Sequence, residues 1–368
     1  MPSEHPPPKQ AISSPWGDIF LIGGASIIFC IATSVFSPDL TAPFFETDKR
    51  LFFVFTLLIN WPHFLASYRL IYVGRGNAHP WATRYIPAGL LLLTCAATVL
   101  SPWSLYLNGA LAAVAFAYLA WHYTGQAFGM MMVFARLDGF SISSRDRALL
   151  KLNFRILLFW HVVWFMEGEG GLIQNLFPMF ANAYDQWIVA LYKTVSIGAA
   201  CSVLVGLFAF SSIRHANGRL PSIRMWVPWV AIYLWYGLMA KHGVHGIFWV
   251  QNFHALQYLA FPLRVELNRY RTQKPRRSVP PTAYIIAYYI FLVLLTLLLL
   301  SGALRGIGHV LSVYVGPEML GSTFVATFIS CFNIHHYVID QVAWKLRNPS
   351  VQRDLFSHLA QGQSSEPS

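Results

Sequence analysis

The chain is 368 residues long, 56% hydrophobic, 16% aromatic and only 11% charged. Soluble domains carry about 25% charged residues, so the composition excludes an ordinary water-soluble fold, and the mean hydropathy of +0.48 agrees. The net charge of +11 is spread over the loops between apolar runs, as in cytoplasmic loops, which excludes nucleic acid as the reason for the basic balance.

Residues 1–15, MPSEHPPPKQAISSP, are polar and proline-rich. They have no apolar core followed by a small-residue cleavage site, so they predict a disordered N-terminal segment and not a secretory signal. A transmembrane domain follows over 16–346. About 20 apolar residues suffice to cross about 30 Å of hydrocarbon, and the apolar runs predict an all-α, polytopic bundle of about ten helices. They fall at 16–36, 50–74, 84–100, 103–136, 147–166, 187–210, 222–240, 243–265, 281–302 and 318–345. The fourth is longer than one span needs, so it tilts or projects beyond the bilayer. The seventh and eighth are joined through AKHGVHG, whose glycines favour a tight turn. Residues 347–368 complete the chain as a cytoplasmic tail, its final QGQSSEPS polar and disordered.

Loop charge orients the bundle. Arg69, Arg75 and Arg84 follow helix two; Arg136, Arg145, Arg147 and Lys151 follow helix four; Arg214, Arg219 and Arg224 follow helix six. Arg264, Arg269, Arg271, Lys274, Arg276 and Arg277 follow helix eight, and Lys345, Arg347 and Arg353 follow helix ten. Opposite loops carry the acids Asp39, Glu46, Asp48, Glu167, Glu169 and Asp185. Every second loop is basic, which places both termini in the cytoplasm. The weakest points of this alternation are Lys241 and Arg305. Cys30, Cys95, Cys201 and Cys331 each stand alone in apolar segments, without a CxxC, and read as small buried side chains.

The chemistry-bearing residues recur on even-numbered helices, in WPHFLASY, WHYTGQAF, FHALQYLAF and HHYVIDQVAW. Each has a histidine, aromatic neighbours and a polar group three or four residues on. At about 1.5 Å per residue, His63, His336, His254 and His122 lie roughly 9, 13, 15 and 21 Å before the basic edge of their helices. Four helices can therefore present imidazoles in one layer, in the cytoplasmic half of the membrane. A polar side chain in hydrocarbon costs about 2 kcal/mol or more without a partner, and a shared metal satisfies several at once. Asp340, at i+4 from His336, shares its face and is expected to bind the metal or to orient the imidazole. His335, about 100° round the helix, is a candidate for a second ion. Gln126 and Gln257, at i+4 from His122 and i+3 from His254, are candidate catalytic or supporting residues. Pro62 frees a carbonyl beside His63, which favours a cavity there, and Tyr68, Tyr123, Tyr258 and Tyr337 are candidates to line it.

A blander reading stands beside this one. A lone membrane histidine often serves only as an interhelical hydrogen-bond partner, and that remains open for His161 on an odd-numbered helix. Asp340 can instead pair with Lys345 or Arg347. His242, His245 and His309 read as interfacial; His5, His79, His215 and His358 lie in loops or tails.

The disposition of His63, His122, His254 and His336 resembles, in kind, the histidine-rich membrane-embedded non-haem iron oxygenases, such as the bacterial carotene-cleaving dioxygenases. That resemblance implies iron held by histidines from several helices and an apolar substrate. The HxxxH and HxxHH boxes of membrane desaturases are missing. So is the glutamate-containing histidine motif of haem A-type synthases, where this chain reads NWPHFLAS. The expectation is a multi-pass protein of a bacterial inner membrane: a metal-dependent oxidoreductase or oxygenase with one or two ions, iron foremost. It would act on a lipid-like substrate within the bilayer and draw on an electron donor. The alternatives are a haem protein with two axial histidines and a transporter using intramembrane histidines.

Overall fold

The computed structural model describes residues 11–36, 49–72, 105–168, 181–273, 279–303, 319–343 and 349–363, with residue 44 and scattered positions in 85–96 and 306–313. Among the described residues the chain is helical throughout and has no strand. In order the elements are α1 (Pro15–Val35), α2 (Lys49–Phe55), α3 (Trp61–Tyr72), α4 (Leu105–Leu137), α5 (Ser144–Gly168), α6 (Ala181–Asn217), α7 (Ile223–Gln273), α8 (Pro281–Thr296), α9 (Met319–Ala343) and α10 (Pro349–Gln363). Most of the predicted span 84–100 lies outside the described residues. So do Arg75, Arg84, Asp39, Glu46, Asp48, Glu169, Lys274, Arg276, Arg277, Arg305, Lys345 and Arg347.

Four described helices are long and apolar enough to cross a membrane: Pro15–Val35, Ser144–Gly168, Tyr184–Asn217 and Pro281–Leu299. Their outer faces carry bare aliphatic and aromatic side chains. On α8 these are Ile286, Ile290, Phe291 and Leu294, with Leu298 just beyond it, each more than half exposed. Apolar area on that scale marks a lipid or partner surface. The interior reverses the pattern. Asn153 on α5 donates to the Ser202 carbonyl on α6 at 2.7 Å and accepts from the Trp229 indole on α7 at 2.9 Å. With Tyr233, which also bonds Asn153 and Ser202, these groups form a polar knot where three helices meet.

The AKHGVHG turn exists. Gly243 takes φ 57°, ψ −131°, a conformation open to glycine because it lacks Cβ, and α7 doubles back there. A Cβ on Gly246 would lie 2.5 Å from the Leu238 carbonyl oxygen, so the arms touch at the bend. Trp235 on the first arm and His254 on the second both pack against Tyr123 of α4.

Three described stretches are wound more loosely, as π-turns: Phe20–Gly24 within α1, Thr56–Asn60 between α2 and α3, and Leu297–Ala303 after α8. The first lets Gly23, at φ 152°, approach α7, where a Cβ would meet Ala231 at 2.9 Å and Val227 at 3.1 Å. The second runs directly into Pro62 and His63. π-turns frequently mark functional positions, and this one sets the rotation of α3 that carries His63 inward.

The described residues nearest each end pack against the bundle. Residues 1–10 lie outside the described residues, but Ile12 is 1% exposed and is held by its N–H to Asp18 at 2.9 Å. The predicted tail contains α10, with Val351 and Leu355 fully buried. Asn268 of α7 donates to the Asp354 and Leu355 carbonyls, each at 3.0 Å, and Arg269 pairs with Asp354 at 2.8 Å. An amphipathic helix of this length is quiet in a hydropathy reading because only one face is apolar.

Candidate metal centre

α3, α4, the second arm of α7 and α9 deliver His63, His122, His254, and the pair His336 and Asp340 to one place. All five are buried, at 6% exposure or less. Ligating atoms of His63, His254 and His336 lie within 4.8 Å of one another, and so do those of His122, His336 and Asp340. The two groupings share His336. His63 Nε2 and His336 Nε2 are 3.1 Å apart. Two nitrogens at about 2.1 Å from a common ion, subtending a right angle, would be about 3.0 Å apart. His122 Nε2 and His336 Nε2 stand 3.8 and 3.9 Å from Asp340 Oδ2.

One feature argues against a purely structural cluster. Neither ring nitrogen of His254 has a hydrogen-bond partner, and Nε2 of His122 and Nδ1 of His336 have none either. Buried polar atoms are nearly always paired, and each one left alone costs about 1–3 kcal/mol. Such atoms on α4, the second arm of α7 and α9, beside potential ligands within 4.8 Å of one another, are what a bound cation would help to satisfy.

Asp340 divides its two oxygens. Oδ1 accepts from Ser67 Oγ at 2.8 Å, and that hydroxyl is 2.7 Å from the Tyr258 hydroxyl. Oδ2 faces His122 and His336. The carboxylate therefore approaches the Nε2 side of His336, where a ligand sits, and makes no bond to its Nδ1. Ser67 was not singled out from the sequence. Its position at i+4 from His63 was the available signal.

The remaining candidates fall elsewhere. His335 belongs to neither grouping; its Nδ1 is 3.0 Å from the Tyr68 hydroxyl, as the 100° helical step requires. Gln126 donates to the His254 carbonyl at 3.0 Å and to Gln257 Oε1 at 3.2 Å, and Gln257 donates to the Ile22 carbonyl at 2.5 Å. The glutamines thus bond each other and main chain, bracing α4, α7 and the π-turn of α1. His161 is fully buried with both ring nitrogens unpartnered, its ring against Tyr123, Trp164 and Tyr236, outside both groupings.

A cavity of about 220 Å³ opens beside the centre, with His122 and Asp340 at its inner end. Comparison with known proteins adds no relative: no family model matches the chain, and no curated protein or solved structure matches it significantly.

Proposed function

We infer that the chain is a metal-dependent oxidoreductase of the membrane that acts on an apolar, lipid-like substrate, with a non-haem iron centre. One observation carries the reading: five buried potential ligands, four imidazoles and one carboxylate, converge from four elements while several of their donor atoms lack any partner. Imidazoles with one carboxylate and open positions suit non-haem iron. His63, His122, His254, His336 and Asp340 would hold the metal, which would supply dioxygen activation. Ser67 and Tyr258 fix the carboxylate, the glutamine brace fixes the His254 backbone, and surrounding aromatic side chains keep water out.

The alternation of basic and acidic loops supports further spans beside the four apolar helices, with both termini on the cytoplasmic side. Of the site-bearing helices, α3 is described over only 12 residues, and the inward faces of the others carry histidine, glutamine and aspartate, which lowers their hydropathy. Haem is less well supported. The His63 and His336 ring centroids are 4.7 Å apart, and those of His122 and His254 4.6 Å, too close to admit a macrocycle between them.

The test is metal content and visible spectrum of the purified protein beside His63→Ala, His122→Ala, His254→Ala and His336→Ala. Iron without a Soret band, reduced in each variant, is the expected outcome. Undiminished metal in all four, or a strong Soret band, overturns it.

A further inference from the structure

The cavity beside the centre is asymmetric. Its inner end is polar, where Asp340 and His122 meet, and the Nε2 of His122 has no hydrogen-bond partner although the residue is only 6% exposed. Most of the remaining wall is apolar, including Met130 and Val133 on α4, Phe261 on α7 and Leu355 on α10, with Gln126, Tyr258 and Gln341 as its other polar side chains. Along α4 the wall is a trough. Gly125 and Gly129, one turn apart, line it, and a Cβ added to either would meet no atom within 4 Å. The mouth lies between α4 and α9, where Trp121 is 49% exposed and Gln341 is exposed. It opens through the side of the helix bundle.

We propose that this cavity binds a single unbranched hydrocarbon chain of a membrane lipid, admitted sideways between α4 and α9, with a segment of the chain brought up to His122 and Asp340. The claim that this chain is the substrate rests on the metal-centre reading; the occupancy of the cavity does not. A volume of about 220 Å³ is roughly seven times a water's share of about 30 Å³, which fits a run of methylenes and leaves the remainder of the chain in the bilayer. A peptide would bring backbone donors and acceptors for which this apolar wall has few partners. A charged headgroup would lose its hydration there, so it stays outside. The glycines leave a slot along the helix, and a slender chain is what fills a slot.

The experiment uses the full-length protein in lipid nanodiscs with stearic acid carrying a photoreactive diazirine near its methyl end, followed by mapping of the labelled residues and metal analysis of the same samples. Labelling concentrated on the cavity wall, around Gly129 to Val133 and Phe261, supports the proposal. So does a drop of about tenfold in that labelling in Gly125→Leu or Gly129→Leu with metal content preserved. Excess oleate should displace the probe, and retinol, with its ring, should not. Labelling spread evenly over the lipid-facing sides of α1, α6 and α8 overturns the proposal, as does displacement by retinol but not by oleate. Cavity labelling that persists in metal-free His122→Ala supports the chain site by itself. Labelled cavity with no metal in the wild type leaves the chain site standing and removes the oxidoreductase reading. Bound metal with an unlabelled cavity does the reverse.

Discussion

His63 and His336 are 273 positions apart in sequence, yet their Nε2 atoms lie 3.1 Å apart inside the protein. Two neutral imidazoles at that distance can share one proton, but only if one donates. The surrounding rings, His254 and His122, bring further nitrogens that no proton arrangement satisfies. A cation held between them would take one nitrogen from each ring it reaches.

Because His336 belongs to both groupings, its loss should differ from that of the other ligands. His336→Ala is expected to abolish metal binding. His254→Ala should damage only the grouping with His63, and Asp340→Asn only the one with His122. If two ions bind, those two variants each retain about half the wild-type metal by elemental analysis. If one ion binds, all three fall together. Full metal content in His336→Ala would refute the shared-ligand geometry.

Ser67 offers a graded counterpart. Its hydroxyl bonds Asp340 Oδ1, the Tyr258 hydroxyl and the His63 carbonyl, so its role is to aim the carboxylate. Removing such a support lowers metal affinity about 10–100-fold. Ser67→Ala should therefore load fully at saturating metal and lose metal to a competing chelator sooner than the wild type. Equal chelator resistance would show that Oδ1 needs no anchor.

The sequence made the site legible before the fold. Four histidines on separate predicted helices, each with aromatic and polar neighbours, suggest a set, because an unpaired polar group in an apolar interior needs a shared reason. The tight turn was legible too, since only glycine accepts φ 57° readily at Gly243. Rotation was harder to read. Which of His335 and His336 points inward depends on the turn of α9 against α3, and adjacent residues differ by a helical step that one sequence leaves unassigned. The loosened turn at Thr56–Asn60 was hidden for the same reason: local winding follows from packing, and the apolar run TLLIN reads as regular helix. The docked C-terminal helix escaped because its apolar face is one stripe on a polar segment.

At one end of the bundle, Arg224 of α7 pairs with Asp18 of α1 at 3.2 Å and with Asp138, which follows α4. Arg224 and Asp18 are almost fully buried. Removing the cation leaves acids without a counter-charge, which costs about 3–5 kcal/mol for a buried pair. Arg224→Met should lower the thermal midpoint in detergent by several degrees. Asp138→Asn should cost less, because the Asp18 pair survives. Equal midpoints for Arg224→Met and the wild type would mean that the pair is not formed in solution.

Ala11 and α10 meet at a titratable contact. His358 of α10 donates from Nε2 to the Ala11 carbonyl at 2.8 Å, while its Nδ1 is 3.2 Å from the Asn268 side-chain nitrogen. That nitrogen is a donor, since it also bonds two carbonyl oxygens, so His358 Nδ1 must accept and the ring must be neutral. Burial, the largest cause, and the nearby Arg264 and Arg271 hold its pKa below the ordinary 6.5, against the opposing pull of the Ala11 carbonyl. A depressed histidine pKa stabilises the folded contact above the unfolded value, and this contribution is lost as pH falls from about 6.5 toward the lower folded value. The N-terminal segment should therefore loosen from α10 on mild acidification. Amide hydrogen exchange at Ile12 and Ser13 should accelerate between pH 7.5 and pH 5.5, after correction for the intrinsic rate. In His358→Gln, which keeps a donor but cannot charge, that acceleration should disappear. An identical pH response in the variant would show that another group controls the contact.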